Sequence, residues 1–223
     1  MAPSPFKAII FDMDGVLVDS EPRHQQAFRE VFQELGYGST HGMVFDDYLG
    51  KSDLVLWKDF IAKHQPSQSL EALLQWRQER LIQIVETEQP LFPGVPELLE
   101  ALHAKLPLAL ASGSLHPVIN AVLAIQDIRR FFSSIISSSD VERGKPAPDI
   151  FLRTAQALKI APASICVIED SEAGVEAGLA SGMHVVAITN SLPRERLTKA
   201  HHVVDRYQEI ADYLGVASGV VPG

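Results

Sequence analysis

Asp12 and Asp14 stand two residues apart in the run Phe11-Asp12-Met13-Asp14-Gly15, directly after the apolar stretch Ala8 to Phe11. On an extended chain, residues i and i+2 point to the same side, so both carboxylates can serve one site. Acids held that close repel each other and call for a cation or a shared proton. Gly15 lets the backbone turn sharply just beyond them. By itself the pair is either a chemical dyad or two acids in a turn. Three further polar groups follow apolar runs in the same way. Ser112-Gly113-Ser114 comes directly after Leu108 to Ala111. Its hydroxyls and exposed backbone N–H groups suit phosphate oxygens, although such a tripeptide is also common loop chemistry. Gly144-Lys145-Pro146-Ala147-Pro148 fixes a lysine in a stiff, non-helical stretch, where it can neutralise a phosphoryl group or stand in an exposed loop. Glu169-Asp170-Ser171 directly follows Ile165 to Ile168. Adjacent acids at a strand end suit Mg²⁺, which takes a few carboxylates together with water and phosphate oxygens; Asp170 or Ser171 can also cap a helix. Together the four groups supply a nucleophile, an acid/base, a phosphate cradle, a fixed cation and a metal site.

The elements that must position these groups follow from hydrophobic patterning. Ala8 to Phe11, Leu108 to Ala111, Ile165 to Ile168 and Val185 to Ile188 are continuous apolar runs, and Ser134 to Ile136 is a weaker one. Continuous runs suit parallel strands covered on both faces. Helical spacing falls between them: Leu98, Leu99 and Leu102 after Pro96; Ile150, Phe151, Thr154, Ala155 and Leu158 after Pro148; and Glu172 to Ser181, which Ser171 can cap. Strands alternating with helices predict an α/β fold with a doubly wound parallel sheet. From Ser20 to about Glu88 no strand is legible. Ala27, Phe28, Val31, Phe32 and Leu35 mark one amphipathic helix there, and Leu70, Leu73, Leu74, Leu81 and Val85 another. The reading is a core of residues 1–17 and 90–216 with an α-helical domain, residues 18–89, inserted after the first strand. An insertion at that point is expected to hang over the carboxyl ends of the strands, where open α/β sheets bind ligands.

Composition narrows the classes. The 223 residues carry a formal net charge of -9 with no Lys/Arg run, which disfavours nucleic acid as a partner. Small phosphorylated molecules remain possible, because a metal and a few well-placed cations can overcome the global charge locally. The single cysteine, Cys166, excludes an internal disulfide and lies in an apolar run, where it is expected as an inert core residue. No stretch is long and apolar enough to span a bilayer, and Met1 to Lys7 lacks the features of a signal peptide, so a cytoplasmic protein is expected, with no membrane partner and as a monomer. The end, Ala217 to Gly223, is expected to fray. Nucleotide-binding glycine loops are absent; Gly174 and Gly178, four apart on a predicted helix, are expected to serve close packing.

On these motifs the chain resembles the haloacid dehalogenase-like (HAD) superfamily. It is most similar to the branch with a helical cap after the first strand, which includes β-phosphoglucomutase and many sugar-phosphate phosphatases. The segments Phe11 to Pro22, Gly144 to Phe151 and Glu169 to Gly174 carry the resemblance. It implies that Asp12 attacks phosphorus and that Asp14 protonates the leaving oxygen and then activates water. It implies that Ser112 and Lys145 hold phosphoryl oxygens, with Gly113 and Ser114 in the same loop. It places Mg²⁺ on Asp12, Asp14 (through its backbone carbonyl) and Asp170, with Glu169 in or near the shell. An acid at position 14 favours phosphate esters over carbon–halogen or carbon–phosphorus bonds. His24 and Lys51 fall where the branch contacts substrate, and Arg77, on the second cap helix, can serve as a replacement cation; His24 and Arg77 can also be ordinary helix-surface residues. Two departures favour phosphatase over mutase: Asp53 where the mutase pattern has an arginine for the distal phosphate, and Leu115 where it has a phosphate-binding lysine. The expected substrate is thus a small phosphorylated metabolite, with β-phosphoglucomutase as the alternative and a non-catalytic binding protein on the same fold as a third possibility.

Overall fold

Residues 5–48 and 53–216 are described in the computed structural model of the chain. Gly50, Lys51, Ser52 and the stretch from Ala217 to Gly223 lie outside the described residues. Two compact units are present: Met1–Asp19 with Pro90–Gly223, and Ser20–Gln89.

The first unit is built on six parallel strands: β1 (Ala8–Phe11), β2 (Leu108–Ala111), β3 (Phe132–Ile136), β4 (Ile165–Glu169), β5 (His184–Ile188) and β6 (His202–Val204). Their order in the sheet is β3-β2-β1-β4-β5-β6. The chain winds one way from β1 to β3 and the other way from β4 to β6, so β1 and β4 flank the point of reversal. The α/β doubly wound fold read from the sequence is therefore the fold of this unit. Its register pairs Ile9 with Leu108 on one side and Ile9 with Cys166 on the other. Alternate strand residues (Ala8, Ile10, Ala109, Ala111, Val167, Val185, Ala187) pack with Ile150, Phe151 and Ala155 of one helix (Asp149–Leu158) and Val175 and Ala177 of another (Glu172–Ala180). The other set, Ile9, Phe11, Leu110, Cys166, Ile168 and Val186, is as fully buried on the opposite face. Both faces are covered, which is why these strands read as unbroken apolar runs. β6, three residues and partly exposed, carries no such signal.

The second unit holds three α-helices, α1 (Glu21–Glu34), α2 (Asp53–His64) and α3 (Leu70–Glu88), and no strand among the described residues. Phe28, Val31, Phe32, Leu56, Trp57, Phe60 and Leu73 form its own core. Ser69 caps α3 by accepting from the Ala72 N–H at 3.2 Å. The break between the units falls after Asp19, two residues beyond the expected position. Val18 bridges Asp14 and Leu91, and the Asp19 N–H donates to the Pro90 carbonyl at 2.9 Å, which ties both to the first unit.

Candidate active site

The four polar groups named from sequence meet at the carboxyl ends of the three central strands. Asp12 follows β1, Ser112 follows β2, Glu169 ends β4 and Asp170 follows it. Lys145 arrives from the loop before the 149–158 helix. Its ammonium donates to Asp12 Oδ1 at 2.5 Å, to Glu169 Oε1 at 2.6 Å and to the Ala111 carbonyl at 3.3 Å. All three donors of this half-buried cation are used, and its charge is met by two carboxylates. Burial alone would push the Lys145 pKa down; attraction to Asp12 and Glu169 outweighs it and raises the pKa.

Glu169 is fully buried and spends both carboxylate oxygens on the protein. Oε1 receives Lys145, and Oε2 receives the N–H of Asp170 at 3.0 Å, the N–H of Ser171 at 3.3 Å and the Ser171 hydroxyl at 3.0 Å. A methyl group on Gly174 would sit 1.9 Å from the Glu169 carboxyl carbon, so the helix that begins at Glu172 closes against this acid only because residue 174 is glycine. Ser171, the cap of that helix, accepts from the Gly174 N–H at 3.0 Å.

Ligand oxygens of Asp12, Glu169 and Asp170 lie within 4.8 Å of one another, and all three residues are buried. Burial raises the Asp12 pKa well above the ordinary carboxylate range; Lys145 opposes the shift, while Glu169, Asp170 and Asp14 add to it. Burial, then the Glu169 charge, lifts Asp170 to about 7, against a hydrogen bond from Ser191. One lysine faces several carboxylates, and a divalent cation is what such a donor set accommodates. The residues present thus fit Mg²⁺, with Asp12 and Asp170 the acids whose oxygens are least committed elsewhere. The Asp14 carboxylate does not join the cluster. Its Oδ2 accepts from the Ser114 hydroxyl at 2.8 Å and the Ser112 hydroxyl at 3.4 Å. Ser114, read from sequence as part of a phosphate cradle, therefore turns its hydroxyl toward the second acid. Ser112 Oγ also accepts from the Ser114 N–H at 3.0 Å, which closes the loop on itself, while Gly113 has open space around its Cα.

Two of the residues named in the helical unit can be placed. Arg77 is only 4% exposed, which overturns its reading as a solvated helix-surface residue. Its guanidinium pairs with Asp53 at 2.8 Å, meets His24 Nδ1 and stacks 4.7 Å above the Phe28 ring. Asp53, expected from the resemblance to replace an arginine of the mutase pattern, thus meets an arginine from α3. Lys51 lies outside the described residues.

Sequence reading missed a second layer. The Asn190 side-chain amide donates to the Gly15 carbonyl and to the Tyr207 hydroxyl, each at 2.8 Å, and that hydroxyl donates to the Val16 carbonyl at 2.7 Å. Burial raises the Tyr207 pKa, so the phenol keeps its proton. Asn190 and Ser191 follow β5 just as the other groups follow their strands, and the same rule would have found them; Tyr207 offers no such signal. Beside the serine loop, His116 Nε2 lies 2.9 Å from Asp140 Oδ2, which accepts from the Ser137 N–H at 2.8 Å.

Against known proteins, residues 6–182 match the family described as haloacid dehalogenase-like hydrolase. The chain belongs to that family. Among curated relatives of this HAD-like hydrolase, fructose-1-phosphate phosphatase YqaB of Escherichia coli is 30% identical over 82% of the chain and 96% of its own length. A β-phosphoglucomutase of Bacillus subtilis is 27% identical over 84% and 85%. Among solved structures, a putative β-phosphoglucomutase from Thermotoga maritima superposes with a TM-score of 0.78 at 29% identity, covering 94% of this chain and 99% of that one. The family therefore holds both phosphatase and phosphomutase relatives of this HAD enzyme.

Proposed function

We propose that the chain is a Mg²⁺-dependent phosphatase of small phosphorylated metabolites, sugar phosphates foremost. The observation that carries the reading is the bridge from Lys145 to Asp12 and Glu169 beside the buried acid cluster. A carboxylate nucleophile is useful only when its charge and that of the incoming phosphate are both offset, and this arrangement answers that need.

Asp12 attacks phosphorus and the bond to the leaving oxygen breaks, leaving an aspartyl-phosphate. Asp14, steadied by Ser114, gives a proton to the leaving oxygen and then accepts one from the water that cleaves the acyl-phosphate. Ser112 and Lys145 offer donors to the phosphoryl oxygens, and Lys145 offsets the charge that gathers there. Asp12 and Asp170 would hold Mg²⁺ with Glu169 behind them, and the bound ion would polarise the phosphoryl group and balance the acids. In the helical unit Arg77 already has its charge met by Asp53, so we read it as holding His24 and not as a ligand for a second phosphate.

The β-phosphoglucomutase relatives keep a mutase as the second reading. A mutase must hold two phosphates as the intermediate turns round. The pairing of Arg77 with Asp53, and Leu115 in the serine loop, favour a site for one. Phosphorus NMR of the protein with Mg²⁺ and a panel of sugar phosphates separates the two. Growth of inorganic phosphate supports the phosphatase, and conversion of β-glucose 1-phosphate to the 6-phosphate without phosphate release would replace it with the mutase. Excess chelator should silence turnover and added Mg²⁺ restore it; turnover that survives chelation would remove the metal from the proposal.

A further inference from the structure

We propose that Asn190 and Tyr207 are positioning residues that anchor the turn after β1 and, through it, aim Asp14 and seat Asp170; the inference rests on the phosphatase reading above. The turn is internally knotted: the N–H groups of Val16, Leu17 and Val18 converge on the Met13 carbonyl, and the Gly15 N–H donates to Val18. The carbonyls of Gly15 and Val16 are taken by side chains 175 and 191 residues away. Asn190 uses one amide hydrogen on Gly15 and the other on Tyr207, and Tyr207 passes its own on to Val16, so a closed ring of hydrogen bonds fixes two consecutive peptide planes. Gly15 lies at φ +76°, and a Cβ there would stand 1.9 Å from Asp170 Oδ2 and 2.4 Å from Ser191 Oγ. The Asp170 carboxylate therefore rests directly on the Gly15 backbone. Ser191, next to the anchor residue, bonds Asp170 as well. Any shift of the turn moves the second acid and the Asp170 seat together, and sub-ångström misplacement of such groups is costly in catalysis.

The test is Tyr207→Phe, which keeps the ring, 6.2 Å from that of Phe92, and removes only the hydroxyl. Two substrates are compared with Mg²⁺ present, p-nitrophenyl phosphate and an alkyl phosphate such as glycerol 3-phosphate. In the first step the Asp12 oxygen bonds to phosphorus, the ester bond breaks and the departing oxygen takes the Asp14 proton. In the second, water bonds to phosphorus, its proton passes to Asp14, and the bond to Asp12 breaks. Nitrophenolate leaves without needing the proton, whereas an alkoxide cannot. With Asp14 misaimed, kcat for the alkyl ester should fall about tenfold or more with KM changed less than about twofold. The aryl ester should show a burst of nitrophenolate followed by a slow steady state. Asn190→Asp should behave alike, and the double variant should be no worse than the worse single one. Equal losses on both esters without a burst, or kcat unchanged, would overturn the proposal. If the wild-type protein hydrolysed neither these esters nor any sugar phosphate of the panel the phosphatase reading would fall, and amide exchange still decides the anchor. Exchange at residues 15–18 should quicken about tenfold in Tyr207→Phe, and unchanged protection would refute it.

Discussion

Lys145 shows how little slack the candidate site has: one ammonium carries Asp12, Glu169 and a strand-end carbonyl at once. Replacing Asp12 by Asn removes the nucleophile while Lys145 keeps Glu169. Turnover should fall by about a thousandfold or more with the far-UV circular dichroism unchanged, and retained turnover would defeat the mechanism. Asp170 gives a prediction with a definite sign. Burial holds its folded pKa at about 7, above the ordinary aspartate value of about 3.9, so in chelator the metal-free protein is relatively stable at low pH and loses that contribution as pH rises through this window. Asp170→Asn has no carboxylate to ionise there. Its Tm should therefore exceed that of the wild type at about pH 8, and the difference should close as pH falls toward about 4. A difference that grows in acid would mean that the carboxylate is favoured by its surroundings and that the cluster is no cation site. The six core residues Asp12, Asp14, Ser112, Lys145, Glu169 and Asp170 were legible because each stands beside an apolar run or in a stiff proline-flanked loop. The direction of Ser114 was not, since a hydroxyl that suits phosphate oxygens suits a neighbouring carboxylate as well.

At the scale of elements, the helix Glu172–Ala180 is placed by glycine. Replacing an interior helical Gly by Ala normally gains about 1 kcal/mol. At Gly174 the new Cβ would meet Glu169, whose four hydrogen bonds leave it nowhere to move. Overpacking should win, and Gly174→Ala should destabilise the fold by about 1–3 kcal/mol in urea unfolding while also lowering kcat. A gain in stability would show that Glu169 yields easily. The same scale explains what the sequence conceals. β1, β2, β4 and β5 announce themselves because both of their faces are buried. β6 and the short helix Tyr207–Tyr213 are half exposed and carry no period, yet that helix brings in the Tyr207 hydroxyl. The bonds from Asn190 to Gly15 and from Tyr207 to Val16 end on backbone carbonyls, which no residue type at the receiving end can advertise.

At the scale of the molecule, each unit has its own apolar core, and the two differ in size: among the described residues, sixteen buried residues form one cluster of the sheet unit, against eight in the cluster around Trp57 in the helical unit. The fraction of surface a unit buries rises with its length, so the helical unit, Ser20–Gln89, has the smaller reserve of stability. Both tryptophans of the chain, Trp57 and Trp76, belong to it. Trp57 is fully buried among Phe28, Phe32 and Phe60, so its emission should shift red when this core opens. Far-UV circular dichroism, in contrast, reports every helix of both units. Intrinsic fluorescence should therefore lose its native signal at a lower urea concentration than the ellipticity does. Asp53→Ala should widen the gap, because it takes the Asp53 carboxylate away from the buried Arg77. Coincident curves in both proteins would mean that the two cores unfold as one cooperative body.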